Sequence, residues 1–329
     1  MTALLVPAVL AVALLTTAVA GPLVIRAAAP ALMRAPRAAV TLLLAVGALW
    51  LVAAAALSLL LAWVLSGPTV LPSGMAGVCQ RCLDASSPFP AVDLVDTVVP
   101  VALLIALPLA GALVLVATAI FRGVRRLRAT RATARDIAAR ADSRIVGGHR
   151  VMLTRDLRPT AFSLPHRHGG IVLSRGLVEV LHPDELAAVI AHEREHVHGR
   201  HHLALGVLEA VIAPLHRLPL MSAIRNAVPL YLEIAADRAA SRRAGTPALA
   251  SALLKLGGTV GAHAPTPHRV VLHAAGPDRI GHLVSPARIG ASLVPAIALG
   301  AATAAFALMA VVVHGPYLSV ILTGCRLAT

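Results

Sequence analysis

The chain has 329 residues, of which 58% are hydrophobic and only 13% charged. Soluble domains carry about a quarter charged residues, so this balance excludes a simple water-soluble globule and a disordered chain alike. A formal net charge of +14 points to nucleic acid or anionic lipid, but with only 2% aromatics there is little material for a base-stacking platform.

A bilayer core takes about 20 apolar residues per helix. Four stretches meet that length: 2–25, 38–65, 97–121 and 289–313. The first ends near Ala18-Val19-Ala20, which has the look of a signal-peptide cleavage site, but no basic segment precedes it. Arginine placement argues that it is retained. Arg26, Arg34 and Arg37 follow span 1, and Arg122, Arg125, Arg126, Arg128, Arg131 and Arg135 follow span 3. Between spans 2 and 3 a single arginine, Arg81, stands among Asp84, Asp93 and Asp96. Positive charge marks the cytoplasmic side. The expectation is a multi-pass plasma-membrane (inner-membrane) protein with both termini and the 66–96 loop outside. Cys79, Cys82 and Cys325 then share the oxidising side, where two of them could pair.

The expected organisation is three parts. Residues 1–121 hold spans 1–3 with their loops, 122–288 form one cytoplasmic α+β domain, and 289–329 hold span 4 and a short outer tail. The basic stretch 122–142 reads as a helix continuing span 3 and lying against anionic headgroups. No nucleic-acid-binding motif accompanies it, so direct nucleic-acid contact is not expected. Next come three strand-like runs, 150–154, 160–164 and 170–174, read as a short antiparallel sheet. Its edge could hold an extended peptide by strand addition. His166 and His168, between two of these runs, are expected to be solvated.

The strongest chemical signal follows. Pro183, Asp184 and Glu185 suit a helix start, and Leu186, Val189 and Ile190 recur at helical spacing. The helix carries Ala191-His192-Glu193-Arg194-Glu195-His196. Histidines at i and i+4 project from one face and can meet one Zn²⁺. A carboxylate beside them can take a proton from water and pass it to a leaving amine. Glu193 and Glu195 lie about equally far around the helix from the histidines. The H-E-x-x-H pattern selects Glu193 as the catalytic base and leaves Glu195 as a surface or supporting residue. His198, His201 and His202 read as a solvated helix end, although Gly199 and His202 also fit the longer H-E-x-x-H-x-x-G-x-x-H pattern.

A second helix is expected after Pro229, with Glu233 and Asp237 on one face. Glu233 can complete a two-histidine, one-carboxylate metal site, and Asp237 can hold a ligand histidine through its free N–H. His202, Glu209 and His216 are the alternatives for the third ligand.

From 160 to 240 the ordered set resembles the multi-pass membrane zinc metallopeptidases of the BlaR/MecR sensor type, a gluzincin group. It is also similar to the HtpX-type membrane proteases. The residues that carry the likeness are Ala161-Phe162, the run from Ile171 to Leu177, Asp184-Glu185-Leu186, His192-Glu193-x-x-His196, and Glu233-x-x-Ala236-Asp237. A protease insert between spans 3 and 4 is the BlaR/MecR layout. The resemblance implies a zincin-like domain with one Zn²⁺ held by His192, His196 and Glu233, and Glu193 as base. It further implies that an outside signal activates the protease against a protein substrate, a winged-helix transcriptional repressor, often after self-cleavage. Only 15 residues follow His314, so the antibiotic-binding sensor domain expected after span 4 has no counterpart. Direct covalent sensing of β-lactams is therefore not expected. The signal would be read by the spans, the 66–96 loop or another protein.

Overall fold

The computed structural model describes residues 2–66, 101–257 and 293–323. The expectations for Cys79, Cys82 and Cys325, and for most of the outer loop, lie outside the described residues. Helix α1 (Thr2–Leu32) and helix α2 (Pro36–Ser66) form a hairpin about a tight turn in which Arg34 and Ala35 donate back to Ala31 and Leu32. Within them, Pro7–Leu32 and Pro36–Ser58 are long and apolar enough to cross a membrane. One face of α1, Leu5, Val9, Val12, Leu15, Val19 and Leu23, is more than half exposed. A stripe of large apolar side chains left open is what a lipid contact requires. The opposite face packs Leu10 and Leu14 on Ala53, Ala56, Leu60 and Phe306.

Helix α3 (Val101–Arg140) is one unbroken element, apolar to Phe121 and basic beyond it. The basic helix therefore does continue the third apolar stretch, but it stops at Arg140, because Asp142 already lies in a strand. The expected spans at 97–121 and 289–313 both begin outside the described residues.

The sheet has four strands: β1 (Ala141–Val146), β2 (His149–Thr154), β3 (Ala161–Ser163) and β4 (Ile171–Ser174), in the order β1-β2-β4-β3. It is mixed rather than antiparallel. β1 and β2 form an antiparallel hairpin through Gly147-Gly148, both at positive φ, as a two-residue turn between strands demands. β3 and β4 are also antiparallel, but β4 runs parallel to β2. The chain after Thr154 passes to the far edge before turning back at Gly169-Gly170, which inserts β4 beside β2. Ser174 then caps helix α4 (Arg175–Val180), its Oγ accepting from Leu177 N at 3.1 Å.

One core, built on Val151, Leu173, Leu177, Val189, Ile190, Leu249 and Leu253, joins the sheet to helix α5 (Pro183–His198) and helix α8 (Thr246–Gly257). Beyond α5 the chain continues as helix α6 (His201–Val207), a π turn over Leu208–Ile212, a 3₁₀ turn over Ala213–Leu215, and helix α7 (Pro219–Ala244). The expected second helix thus starts ten residues earlier and carries Pro229 internally, at the loss of one backbone hydrogen bond.

A second core explains the extra length. Leu208, Ile212, Leu220, Met221, Ile224 and Val228 pack against Ile25, Ala28, Leu43 and Val46 of the α1–α2 hairpin and against Leu299. Leu299 belongs to the last described helix, α9 (Leu293–Thr323). Two glycines allow the approach: a Cβ on Gly21 would stand 2.7 Å from Leu220 Cδ1, and one on Gly47 2.9 Å from Ile212 Cδ1. At 1.5 Å per residue these contacts lie about 15–20 Å along the apolar helices from the α1–α2 turn. The helical segment after the histidines therefore packs against the apolar helices.

Candidate metal centre

The site is made by α5 crossing α7. Helix α5 starts with Pro183 in its first turn, and Glu185 fixes that end. Its carboxylate accepts from His182 N at 2.7 Å, Ser251 Oγ at 2.5 Å and Lys255 Nζ at 2.7 Å. Hydrogen bonds from Lys255 and Ser251, more than offsetting burial, hold Glu185 down to about 2. The chain's sole lysine thus ties α8 to the start of the histidine helix.

One turn apart on the inner face, His192 and His196 are both buried, with Nε2 atoms 3.1 Å apart. Helix α7 brings Glu233 to them: Oε2 is 3.6 Å from His192 Nε2, and Oε1 is 3.4 Å from His196 Nε2. Among the described residues, these three form a group able to hold a metal ion. The donor set fits one. With bonds of about 2.0–2.1 Å, a tetrahedral ion has ligand–ligand edges of about 3.3–3.4 Å. The two imidazole nitrogens stand 3.1 Å apart, close to that edge, and a different Glu233 oxygen approaches each of them, at 3.6 Å for His192 and 3.4 Å for His196.

Electrostatics favour a cation at the same point. Burial opposes charge on His192, but Asp237, Glu233 and Glu193 outweigh it and pull the ring up to about 10. Surroundings that hold a proton so firmly also stabilise a metal ion. Asp237 Oδ1 lies 3.1 Å from His192 Nδ1, on the side of the ring away from Glu233. A hydrogen bond at that position would fix the tautomer that leaves Nε2 to bind a metal. Glu193 is buried on α5 next to His192 and acts on its charge.

The other expected residues stand elsewhere. His202 is half-buried, and burial and Arg126 lower its pKa. Glu209 and His216 are exposed. None of the three belongs to the ligand group. Of the turn histidines, His166 is exposed and His168 half-buried.

One expectation left open is narrowed and another is overturned. Glu195 is buried and accepts from Arg37 Nε at 2.9 Å and Nη2 at 2.5 Å, so of its two expected roles it takes the supporting one. His201, expected in solvent, is buried, with Nδ1 2.8 Å from His196 Nδ1. The cause is local. The helix stops at Gly199, and Arg200 takes a left-handed φ of 51°. That break folds the next residue back over His196. The sequence signal was Gly199, but the register it suggested led to His202 rather than His201.

Two buried histidines and a carboxylate on crossing helices, with an acid beside the first histidine, form a centre able to hold a metal ion. Residues 125–228 match the family model of Peptidase family M48, which supports a metallopeptidase of that family. The match covers less than half of the chain and ends before Glu233, which geometry alone brings to the histidines. No curated protein and no solved structure matches the chain.

Proposed function

We propose that this chain is an integral-membrane zinc endopeptidase whose active site faces the cytoplasm. Its role would be regulated proteolysis in the BlaR/MecR manner, with a transcriptional repressor as the first substrate to test. The observation that carries the reading is the buried His192–His196–Glu233 group on two helices, one of which packs into the apolar α1–α2 hairpin. The four apolar stretches expected from the sequence, with the protease insert between the third and fourth, are what favour the signalling role.

His192, His196 and Glu233 would hold the ion. The chemistry that zinc supplies when bound is polarisation of a carbonyl and acidification of water near neutral pH. Glu193 takes the proton from the attacking water and delivers it to the leaving amine. Asp237 keeps His192 oriented throughout. Among the described residues β3 is an edge strand packed against α5, so an extended peptide that paired along it would lie beside the histidine helix. Such pairing reads backbone more than side chains.

The deciding experiment compares the full-length wild type with Glu193→Gln on a repressor substrate. Cleavage should fall by about 10²–10⁴-fold with zinc content unchanged. Undiminished cleavage with metal retained would remove Glu193 from the mechanism. A second reading, clearance of damaged membrane proteins, is favoured by the apolar packing of α7, which sets the site beside the layer where such substrates lie. A repressor left intact under all inducing conditions, while membrane proteins are cleaved, would select it.

A further inference from the structure

A chain of side chains leads from the start of α2 to one histidine of the metal centre. Arg37, in the first turn of α2, donates to Glu195 Oε1 through Nε at 2.9 Å and Nη2 at 2.5 Å. The same Oε1 lies 3.8 Å from His201 Nε2, and His201 Nδ1 lies 2.8 Å from His196 Nδ1. A second contact of the turn falls one residue from the acid that faces the other histidine. Arg238 Nη1 donates to the Arg34 carbonyl in the α1–α2 turn. Its neighbour Asp237 faces His192 Nδ1.

Proton placement along the first route is consistent. With Nε2 of His196 given to a metal, its Nδ1 carries the hydrogen and donates to Nδ1 of His201. His201 then carries its own hydrogen on Nε2, the atom that faces the Glu195 carboxylate. The Glu195 charge is in turn met by Arg37. Backbone features that are costly on their own serve this arrangement. Arg200 is the positive-φ non-glycine position among the described residues. A Cβ on Gly199 would stand 2.6 Å from His201 Nε2, so only glycine leaves room for the ring.

We propose that Arg37, Glu195 and His201 are positioning residues that connect the apolar α1–α2 hairpin to the metal ligand His196, so that the seating of that hairpin sets metal affinity. The inference rests on reading the site as a zinc centre. It goes beyond that reading by giving an apolar helix a direct hold on a ligand. Arg37 lies 158 residues from Glu195 in sequence, and no motif links them.

The test measures zinc affinity of the full chain in detergent micelles by competition with a chromophoric chelator. It also follows thermal unfolding of the zinc-free protein. Arg37→Gln and Glu195→Gln should each weaken zinc binding by about 10–100-fold, the range for residues that orient a ligand. The double variant should be no weaker than the worse single one, because both break the same link. Arg37→Lys, which keeps the charge, should fall between wild type and Arg37→Gln. His201→Phe should match the single variants; if it does not fold, the Arg37 and Glu195 series decides alone. Wild-type affinity in Arg37→Gln would overturn the proposal, as would losses that simply add or a change confined to zinc-free stability. A wild type that holds no zinc would instead sink the zinc reading, and this inference with it.

Discussion

Each ionisable side chain around the centre has an environment that fixes its task. Asp237 sits behind His192, and replacing it with Asn should weaken metal binding by about 10–100-fold while leaving the fold intact. Chelator competition reads this directly, and unchanged affinity would separate Asp237 from the site. Glu185 has a different duty, joining α5 to α8 through Ser251 and Lys255. Its folded pKa lies near 2, below the ordinary value of 4.5. A depressed carboxylate pKa stabilises the fold above the unfolded value, and that stability is lost as pH falls. Glu185→Gln should therefore cost about 2 kcal/mol at neutral pH. The cost should shrink as pH drops from 4.5 toward 2, since the wild type loses its advantage there. Denaturant unfolding across that range checks the sign. A cost that grew on acidification would contradict the assignment.

At the level of helices and strands, local spacing and long-range packing were legible to different degrees. His192 and His196, and Glu233 and Asp237, are i,i+4 pairs, and a helix alone puts each pair on one face. Those pairings could be read from the chain without knowing its fold. The parallel β2–β4 pairing could not, because it depends on where the loop between β2 and β3 crosses. The inward turn of His201 depends on one left-handed residue, Arg200, that no composition rule predicts. The depth of α7 was hidden for a similar reason. Pro229 looked like a boundary, yet the helix runs through it to reach the apolar hairpin. That packing makes its own prediction. Gly47→Leu would drive a side chain into Ile212 and Ile224, with an overpacking cost of about 1–3 kcal/mol. Thermal unfolding in detergent should show the loss. A variant as stable as wild type would mean that the π turn and α7 do not seat against α2.

Across the whole molecule, the metal centre and the apolar helices form one packed unit rather than a domain hung from an anchor. The sheet and α8 pack on α5, and α7 packs on it too and brings Glu233 to the histidines. The N-terminal half of α7 is held by α1 and α2, and the π turn packs on α3 as well as on α7. Truncating the α1–α2 hairpin should therefore expose Leu220, Met221 and Ile224 and unfold the centre, not release a soluble enzyme. The most direct check of the central claim is metal analysis of purified full-length protein beside Glu233→Ala and His192→Ala. The account predicts one zinc per wild-type chain and loss of it in both variants. Zinc retained at wild-type stoichiometry without Glu233 would contradict it.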